Sequence, residues 1–209
     1  MVLASTLGLA CSVVGVRSTK EPAYTVVLED ADREIRAYEG YLIARTRVDA
    51  SYEESGSEGF RRLFRYISGH NSGAREIAMT APVLQARKGE KIAMTAPVLQ
   101  ERSGDSWTMD FVMPAHFTRE TVPQPLDERV RIEQVPARTV AVLRYSGRVA
   151  EDDLELRTRQ LEEWLAGQPY RAISPAVSAR YDPPFAVPFL RRNEIMVPVR
   201  WSADLASSD

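Results

Sequence analysis

The side chains that could do covalent or metal chemistry are few in this 209-residue chain. It has one cysteine, Cys11, and two histidines, His70 and His116, which lie far apart in the sequence. A single cysteine excludes a disulfide framework, and this spacing fits no Cys/His zinc motif. Because no nucleophile, base and orienting group can be named together, we predict that the protein is not an enzyme.

Cys11 lies in an apolar head whose first 16 residues carry no charge, and a polar tether follows up to Pro22. The sequence Leu9-Ala10-Cys11 loosely resembles the cleavage site of a bacterial lipoprotein, where the cysteine becomes the lipidated first residue. The head is too short for a transmembrane helix and lacks the basic start of a secretion signal. Two interpretations follow: a periplasmic lipoprotein with membrane anchoring through Cys11, or a cytoplasmic protein with an apolar tail.

The overall charge argues against nucleic acid as a partner. The formal net charge is -2 and the sequence pI is near 5.8. The protein therefore has no excess of positive charge that would attract a phosphate backbone. With 44% hydrophobic and 27% charged residues, the composition is that of a soluble globular protein with a core.

An amphipathic helix is predicted in the first half, ending near Gly69. Its apolar residues have the spacing i, i+3, i+4, i+7 and are Phe60, Leu63, Phe64 and Ile67. Three arginines lie beside this stripe: Arg61, Arg62 and Arg65. Ser55 and Glu58 have the spacing of a capping box, which would place the helix start there. Such a stripe ordinarily faces the protein core and its arginines face solvent, which is the alternative to a binding role.

Nine residues, Ile-Ala-Met-Thr-Ala-Pro-Val-Leu-Gln, occur twice without a change, at residues 77–85 and 92–100. A polar segment with one glycine separates the copies, which predicts that they fold back on each other as a β-hairpin. Because Pro82 and Pro97 cannot donate a ladder hydrogen bond, we expect this hairpin at the rim of a sheet.

The second half repeats the order of the first. Residues 35–48 align with residues 132–145, and residues 110–114 align with residues 194–198. A second helix is predicted over residues 151–166 with three leucines inward: Leu154, Leu161 and Leu165. The pattern predicts an α+β fold with helices on one side of an antiparallel sheet. A cleft between the halves would be the default small-molecule site.

Several segments, in this order, resemble the SOUL/heme-binding protein family, as a bacterial-type member. They are Glu34-Ile-Arg-Ala-Tyr38-Glu-Gly40, the helix of residues 60–69 followed by Asn71, Lys91-Ile-Ala-Met-Thr-Ala-Pro97, Pro125-Leu126 and Arg191-Arg-Asn-Glu-Ile195. The resemblance implies a distorted antiparallel β-barrel of two pseudo-repeated β-α-β-β halves with two flanking α-helices. It also implies non-catalytic binding or carriage of heme or another tetrapyrrole. We expect the head and tether at residues 1–22, this domain at 23–202 and a tail at 203–209.

The resemblance places the tetrapyrrole on the apolar face of the first helix and the adjoining cleft. The residues carried over are Phe60, Arg61, Arg62, Leu63, Phe64, Arg65, Ile67 and Met79. A flat apolar macrocycle with two carboxylates is complementary to an apolar stripe edged by arginine.

The chain departs from the family at its proposed iron ligand. Members proposed to use a histidine have it in an Ile-Arg-His-Tyr version of the motif, where this chain has Ala37. We therefore expect a weakly ligated heme, and the motif does not identify the residue that would bind its iron. His70 is a candidate, and its place after the helix also fits a C-terminal cap.

Two other classes of function stay open. The first is an effector-binding module for another amphipathic small molecule, in which Asp110 or Glu194 would act as a buried acid at equivalent positions of the two halves. An acid in an alternating strand ordinarily faces solvent, which opposes this role. The second is a membrane-anchored envelope interaction protein that depends on Cys11.

Overall fold

The computed structural model describes residues 20–73 and 89–203. These residues form two helices, α1 (Tyr52–Ile67) and α2 (Glu151–Ala166), and a β-sheet. The strands are β1 (Tyr24–Asp30), β2 (Arg33–Tyr38), β3 (Tyr41–Val48), β4 (Val98–Ser103), β5 (Ser106–Val112), β6 (Val130–Val135), β7 (Arg138–Tyr145), β8 (Tyr170–Ala172), β9 (Val177–Arg180) and β10 (Asn193–Trp201).

The strands form one curled antiparallel sheet in the order β1-β2-β7-β10-β9-β4-β5-β3-β6, and β8 pairs with β10 alone. From β2 to β6 this order is symmetric about the central pair of β9 and β4. The unit β3-α1-β4-β5 therefore corresponds to the unit β7-α2-β9-β10. This arrangement confirms the predicted α+β fold, a distorted barrel flanked by two helices.

Both helices cover the same face of the sheet. Alternate strand residues point towards them, because successive side chains in a strand point to opposite faces. In α2 the three predicted leucines are buried against β7 and β10: Leu154, Leu161 and Leu165. The other face of the sheet has its own apolar cluster, which includes Leu99, Val142, Ala179 and Met196. The interior of the barrel is therefore filled by side chains.

The first helix begins one turn before the predicted start. Its N-cap is Ser51, whose side chain accepts a hydrogen bond from the Glu54 backbone N–H. Ser55 lies inside the helix, where it is buried and donates to the Tyr52 carbonyl at 2.9 Å. Ser51 and Glu54 have the same capping-box spacing as Ser55 and Glu58, so the prediction chose the wrong one of two candidates. The buried Tyr52 ring, packed 4.9 Å from Trp107, favours the earlier start.

The second copy of the nonapeptide does not lie at the rim of the sheet as predicted. In the second copy only Val98, Leu99 and Gln100 enter a strand, β4. That strand is internal, because β5 and β9 pair with its two edges. No edge of β4 is left at these residues for the first copy, which lies outside the described residues. Pro97 directly precedes the strand, where its missing N–H breaks no ladder bond.

Candidate functional site

The outer surface of α1 presents two stacked aromatic rings. Phe64 is 48% exposed, and its ring lies 5.8 Å from that of Phe60 with only 12° between the planes. Phe60 is half-buried and meets the ring of Phe111, on β5, edge to face at 5.3 Å. Phe111 belongs to the core under α1. The aromatic surface is therefore held from below by a packed strand.

Arg61 and Arg65 lie on the exposed side of the same helix. With 3.6 residues per turn, Arg61 stands about 60° and Arg65 about 100° around the axis from Phe64, both on the side away from Phe60. Arg61 is exposed and pairs with Glu58 at 2.5 Å. Arg65 is exposed and has no ion-pair partner within the part of the chain that the structure describes. Two guanidinium groups thus edge the aromatic surface.

The third arginine has a different role. Arg62 donates to Glu58 at 2.9 Å and to the Arg47 carbonyl at 2.9 Å. Its side chain is 15% exposed. These bonds fasten α1 to the end of β3, so Arg62 braces the helix.

The structure divides the remaining predicted contact residues. Leu63 and Ile67 are buried in the core between α1 and the sheet. A ligand on the outer face of α1 would meet Phe60 and Phe64 but could reach Leu63 and Ile67 only if the core opened. Met79 lies outside the described residues.

The candidate iron ligands stand apart from the aromatic surface. His70 is exposed beyond the C-terminal end of α1, and its backbone N–H donates to the Arg65 carbonyl at 3.0 Å, as in a helix cap. The His116 ring lies 4.1 Å from that of Phe117 in a loop. Within residues 20–73 and 89–203, no cluster of three or more His, Cys, Asp or Glu side chains could hold a metal ion.

Glu194 is the centre of a buried ion network on the inner face of the barrel. It accepts two hydrogen bonds from Arg36, at 2.9 and 3.0 Å, one from Arg192 at 2.9 Å and one from the Tyr181 hydroxyl at 2.6 Å. Burial alone would raise the pKa of Glu194, but the bonds from Arg36 and the charge of Arg192 outweigh it and lower the pKa. Arg36 also donates to Tyr38, whose burial raises the pKa of its hydroxyl to about 12.

Asp110 has a matching environment in the other half of the sheet. Arg45 on β3 binds both of its carboxylate oxygens at 2.7 Å, and the same guanidinium reaches Glu133 on β6 at 3.0 Å. Both Asp110 and Glu194 are therefore buried, against the expectation for acids in alternating strands. Since arginine occupies each carboxylate, neither is free to receive a cationic ligand in this arrangement.

At their junction the two halves meet through direct pairing of β4 and β9, for example of Leu99 with Ala179, so the sheet is continuous where a cleft was expected. Cavities lie instead at the helix ends. One of about 310 Å³ lies between α2 and the β4–β5 turn and includes Trp107 and Arg102. Another of about 440 Å³ lies beside the first turns of α1 and includes Val48 and Arg61. The second adjoins the aromatic surface through Arg61.

The sequence matches the model of the family described as SOUL heme-binding protein over residues 19–89 and 84–198. The chain belongs to this family. It is 31% identical to Heme-binding protein 1 of Mus musculus over 169 residues, which cover 80% of this chain and 84% of that protein. It is 26% identical to Heme-binding protein 1 of Xenopus laevis over 163 residues, 78% of this chain and 80% of that protein.

The two family matches of this SOUL protein overlap at residues 84–89, which are the last two residues of the first nonapeptide copy and the start of the segment after it. Such an overlap is expected if the family pattern contains the nonapeptide position once. Among solved structures, the C-terminal domain of EcmrR superposes with a TM-score of 0.55 at 12% identity, covering 85% of this chain and 98% of that one. This likeness shows a shared fold.

Sequence reasoning found Phe60, Phe64, Arg61 and Arg65 from spacing and resemblance. It missed that Arg36 and Arg45 neutralise the two buried acids. The missing information was strand adjacency, since Arg36 and Glu194 are 158 positions apart. The equivalent positions of Asp110 and Glu194 in the two halves were the available signal.

Proposed function

We propose that this SOUL-family protein binds heme or another tetrapyrrole, without catalysis, on the exposed face of α1. The observation that carries the proposal is the stacked pair of Phe60 and Phe64 beside Arg61 and Arg65, in a chain of a heme-binding family. The core residues Leu63 and Ile67 support this face from beneath.

The aromatic pair fits the flat part of such a ligand. A macrocycle laid on Phe64 removes an exposed aromatic ring from water, which is favourable in proportion to the apolar area covered. Phe60 and Phe111 hold that ring in place, so little side-chain freedom is lost on binding. The site is a surface, so we expect a Kd in the micromolar range.

The two arginines fit the charged part of the ligand. Arg61 and Arg65 are four residues apart on a helix, so their Cβ atoms lie about 6 Å from each other. Each guanidinium can bind a carboxylate in a bidentate manner. For Arg61 this means exchanging its exposed pair with Glu58, which contributes little in water.

Binding through this face requires no axial ligand from the chain. Ala37, at the position of the family's candidate histidine, lies on β2 and pairs with Thr25 and Thr139. The helix α1 packs on β3, β5 and β6 instead, so a ligand at position 37 would belong to the other half. Bound heme would supply redox-active iron, and the residues of α1 would hold the macrocycle and its carboxylates.

The test is a titration of the purified full chain with hemin and with metal-free protoporphyrin, followed by absorbance. We expect comparable affinities for both, since contacts to the macrocycle and carboxylates dominate. Phe64→Ser should weaken both about tenfold, because it removes one apolar contact of about 1.4 kcal/mol. The double variant Arg61→Glu with Arg65→Glu should also weaken both.

A matched control is Leu156→Ser on α2, which is 42% exposed on a helix far along the chain. It should bind like the parent protein. Unchanged binding by Phe64→Ser would contradict the proposed face. A strong preference for hemin that disappears in His70→Ala would show that His70 ligates the iron.

We also propose membrane anchoring through Cys11, which lies outside the described residues. The tether reaches the domain at Lys20, whose carbonyl accepts the Ala96 N–H at 3.1 Å. In residues 20–73 and 89–203, no helix is long and apolar enough to cross a membrane. Expression with the native upstream region and cell fractionation test the anchor: Cys11→Ser should release the protein from membranes. A parent protein that is entirely soluble and retains Met1 would contradict it.

A further inference from the structure

The loop between β9 and β10 exposes an unusual amount of apolar surface. The three most exposed large apolar side chains of the described residues are all there: Phe185 at 88%, Phe189 at 73% and Leu190 at 60%. Val187 is also exposed. Contiguous exposed apolar residues of this size mark a surface that contacts another phase or molecule.

Part of the backbone of this loop is bonded within the protein. Arg191 donates from Nη2 to the Pro184 carbonyl at 2.6 Å and from Nε to the Ala186 carbonyl at 2.9 Å. Backbone N–H groups bind three more of its carbonyls, those of Pro183, Val187 and Pro188. Three prolines, Pro183, Pro184 and Pro188, have no N–H to satisfy. Pairing of these carbonyls lowers the cost of bringing the loop to an apolar boundary, because unpaired backbone groups are costly in an apolar layer.

Charge is placed at the edges of the loop. Residues 183–190 contain no charged side chain. Arg148 is exposed next to the loop, because the neighbouring Gly147 N–H donates to the Pro188 carbonyl at 2.9 Å. An apolar tip with a basic flank matches the acyl boundary and the anionic headgroups of a lipid surface.

The N-terminal tether meets the domain at the same place. Glu21 forms an ion pair of 2.9 Å with Arg192, directly after the loop. The first 16 residues of the chain carry no charge. A membrane held through the N-terminal head would therefore lie near the loop.

We propose that residues 183–190 dock the domain onto a lipid surface, with Phe185 and Phe189 inserted at the acyl boundary. Arg148 lies at the level of the headgroups. The basic flank of the apolar tip and the nearby N-terminal tether favour lipid over a protein partner.

The test uses the full chain with Cys11→Ser, which removes any thioether lipid, and vesicles of phosphatidylcholine and phosphatidylglycerol. Co-sedimentation gives the partition coefficient. Replacing Phe185 and Phe189 together by serine should lower it at least about tenfold. The matched control replaces Leu126 and Ile173, which are exposed outside this loop, and should not change it. All variants keep the same N-terminal head, so a difference in partition coefficient measures the contribution of the loop.

A second measurement locates the inserted residue. Phe189→Trp should be quenched by brominated lipid, and Ile173→Trp should not. Equal partition of the loop variant and its control, or absence of quenching at position 189, would overturn the proposal. Loss of a protein complex in the loop variant with unchanged vesicle binding would also overturn it and assign the loop to a protein interface.

Discussion

Deleting residues 74–88 should leave a protein that folds cooperatively, because the two ends of this segment already meet. Asn71 Oδ1 accepts the Gly73 N–H at 3.1 Å and the Glu90 N–H at 2.9 Å. These two nitrogens are therefore no more than about 6 Å apart, while two residues can span about 7 Å. Joining Gly73 to Gly89 thus requires no movement of β4. The deletion removes one repeat period and leaves one copy of the nonapeptide.

A matched deletion, residues 86–100, leaves the same length and the same nonapeptide. It differs only in the three residues before the nonapeptide, where Ala74-Arg75-Glu76 replaces Gly89-Glu90-Lys91. A Cβ at Gly89 would overlap the carbonyl oxygen of Gly69, which is backbone and cannot rotate away. Relieving such a contact typically costs about 1 to 3 kcal/mol.

The loop entropy stabilises the folded state when the connection is shortened, and it does so equally in both deletions. Each halving of a loop between fixed ends stabilises by about 0.6 kcal/mol, so shortening this connection contributes roughly 2 kcal/mol at most. We therefore expect the 74–88 deletion to be at least as stable as the parent chain. The 86–100 deletion should be about 1 to 3 kcal/mol less stable than its counterpart, and Ala74→Gly in that deletion should recover the difference.

Urea denaturation followed by circular dichroism measures these free energies of unfolding. Loss of cooperative unfolding in the 74–88 deletion would refute the geometric argument. Equal stability of the two deletions would refute the role of Gly89. Titration of the 74–88 deletion with hemin also tests Met79, since that deletion removes it.

Three further predictions concern stability. Glu194→Gln should cost about 3 to 5 kcal/mol at neutral pH, because it leaves buried arginine charge unpaired. Since the pKa of Glu194 is lowered from 4.5, its contribution is present above about pH 4.5 and is lost as pH falls through the folded pKa. The variant should show a flatter acid limb in urea titrations at several pH values, and equal limbs would contradict the pairing. Ser51→Ala should cost about 1 kcal/mol through loss of the N-cap, whereas Ser57→Ala on the exposed helix surface should not destabilise. Leu161→Ala should lower the melting temperature through a loss of about 2 to 5 kcal/mol, and a loss below about 1 kcal/mol would contradict its core position.

Local patterns determined the elements of this fold. The helix α2 has the predicted bounds of residues 151–166, and its three predicted leucines are buried. Periodicity succeeds here because burial on one face of a helix or strand repeats at the period of that element.

Contacts between distant segments were decided by the tertiary structure alone. Residues 98–100 form an internal strand because β9, more than 70 positions later, supplies its second neighbour. The stripe on α1 divides into buried Leu63 and exposed Phe64 because the sheet beneath covers only part of it. The pairing of Arg36 with Glu194 depends on β2 and β10 both lying beside β7. The sequence determines which residues are apolar and favour burial. The strand order determines which of them pack against each other.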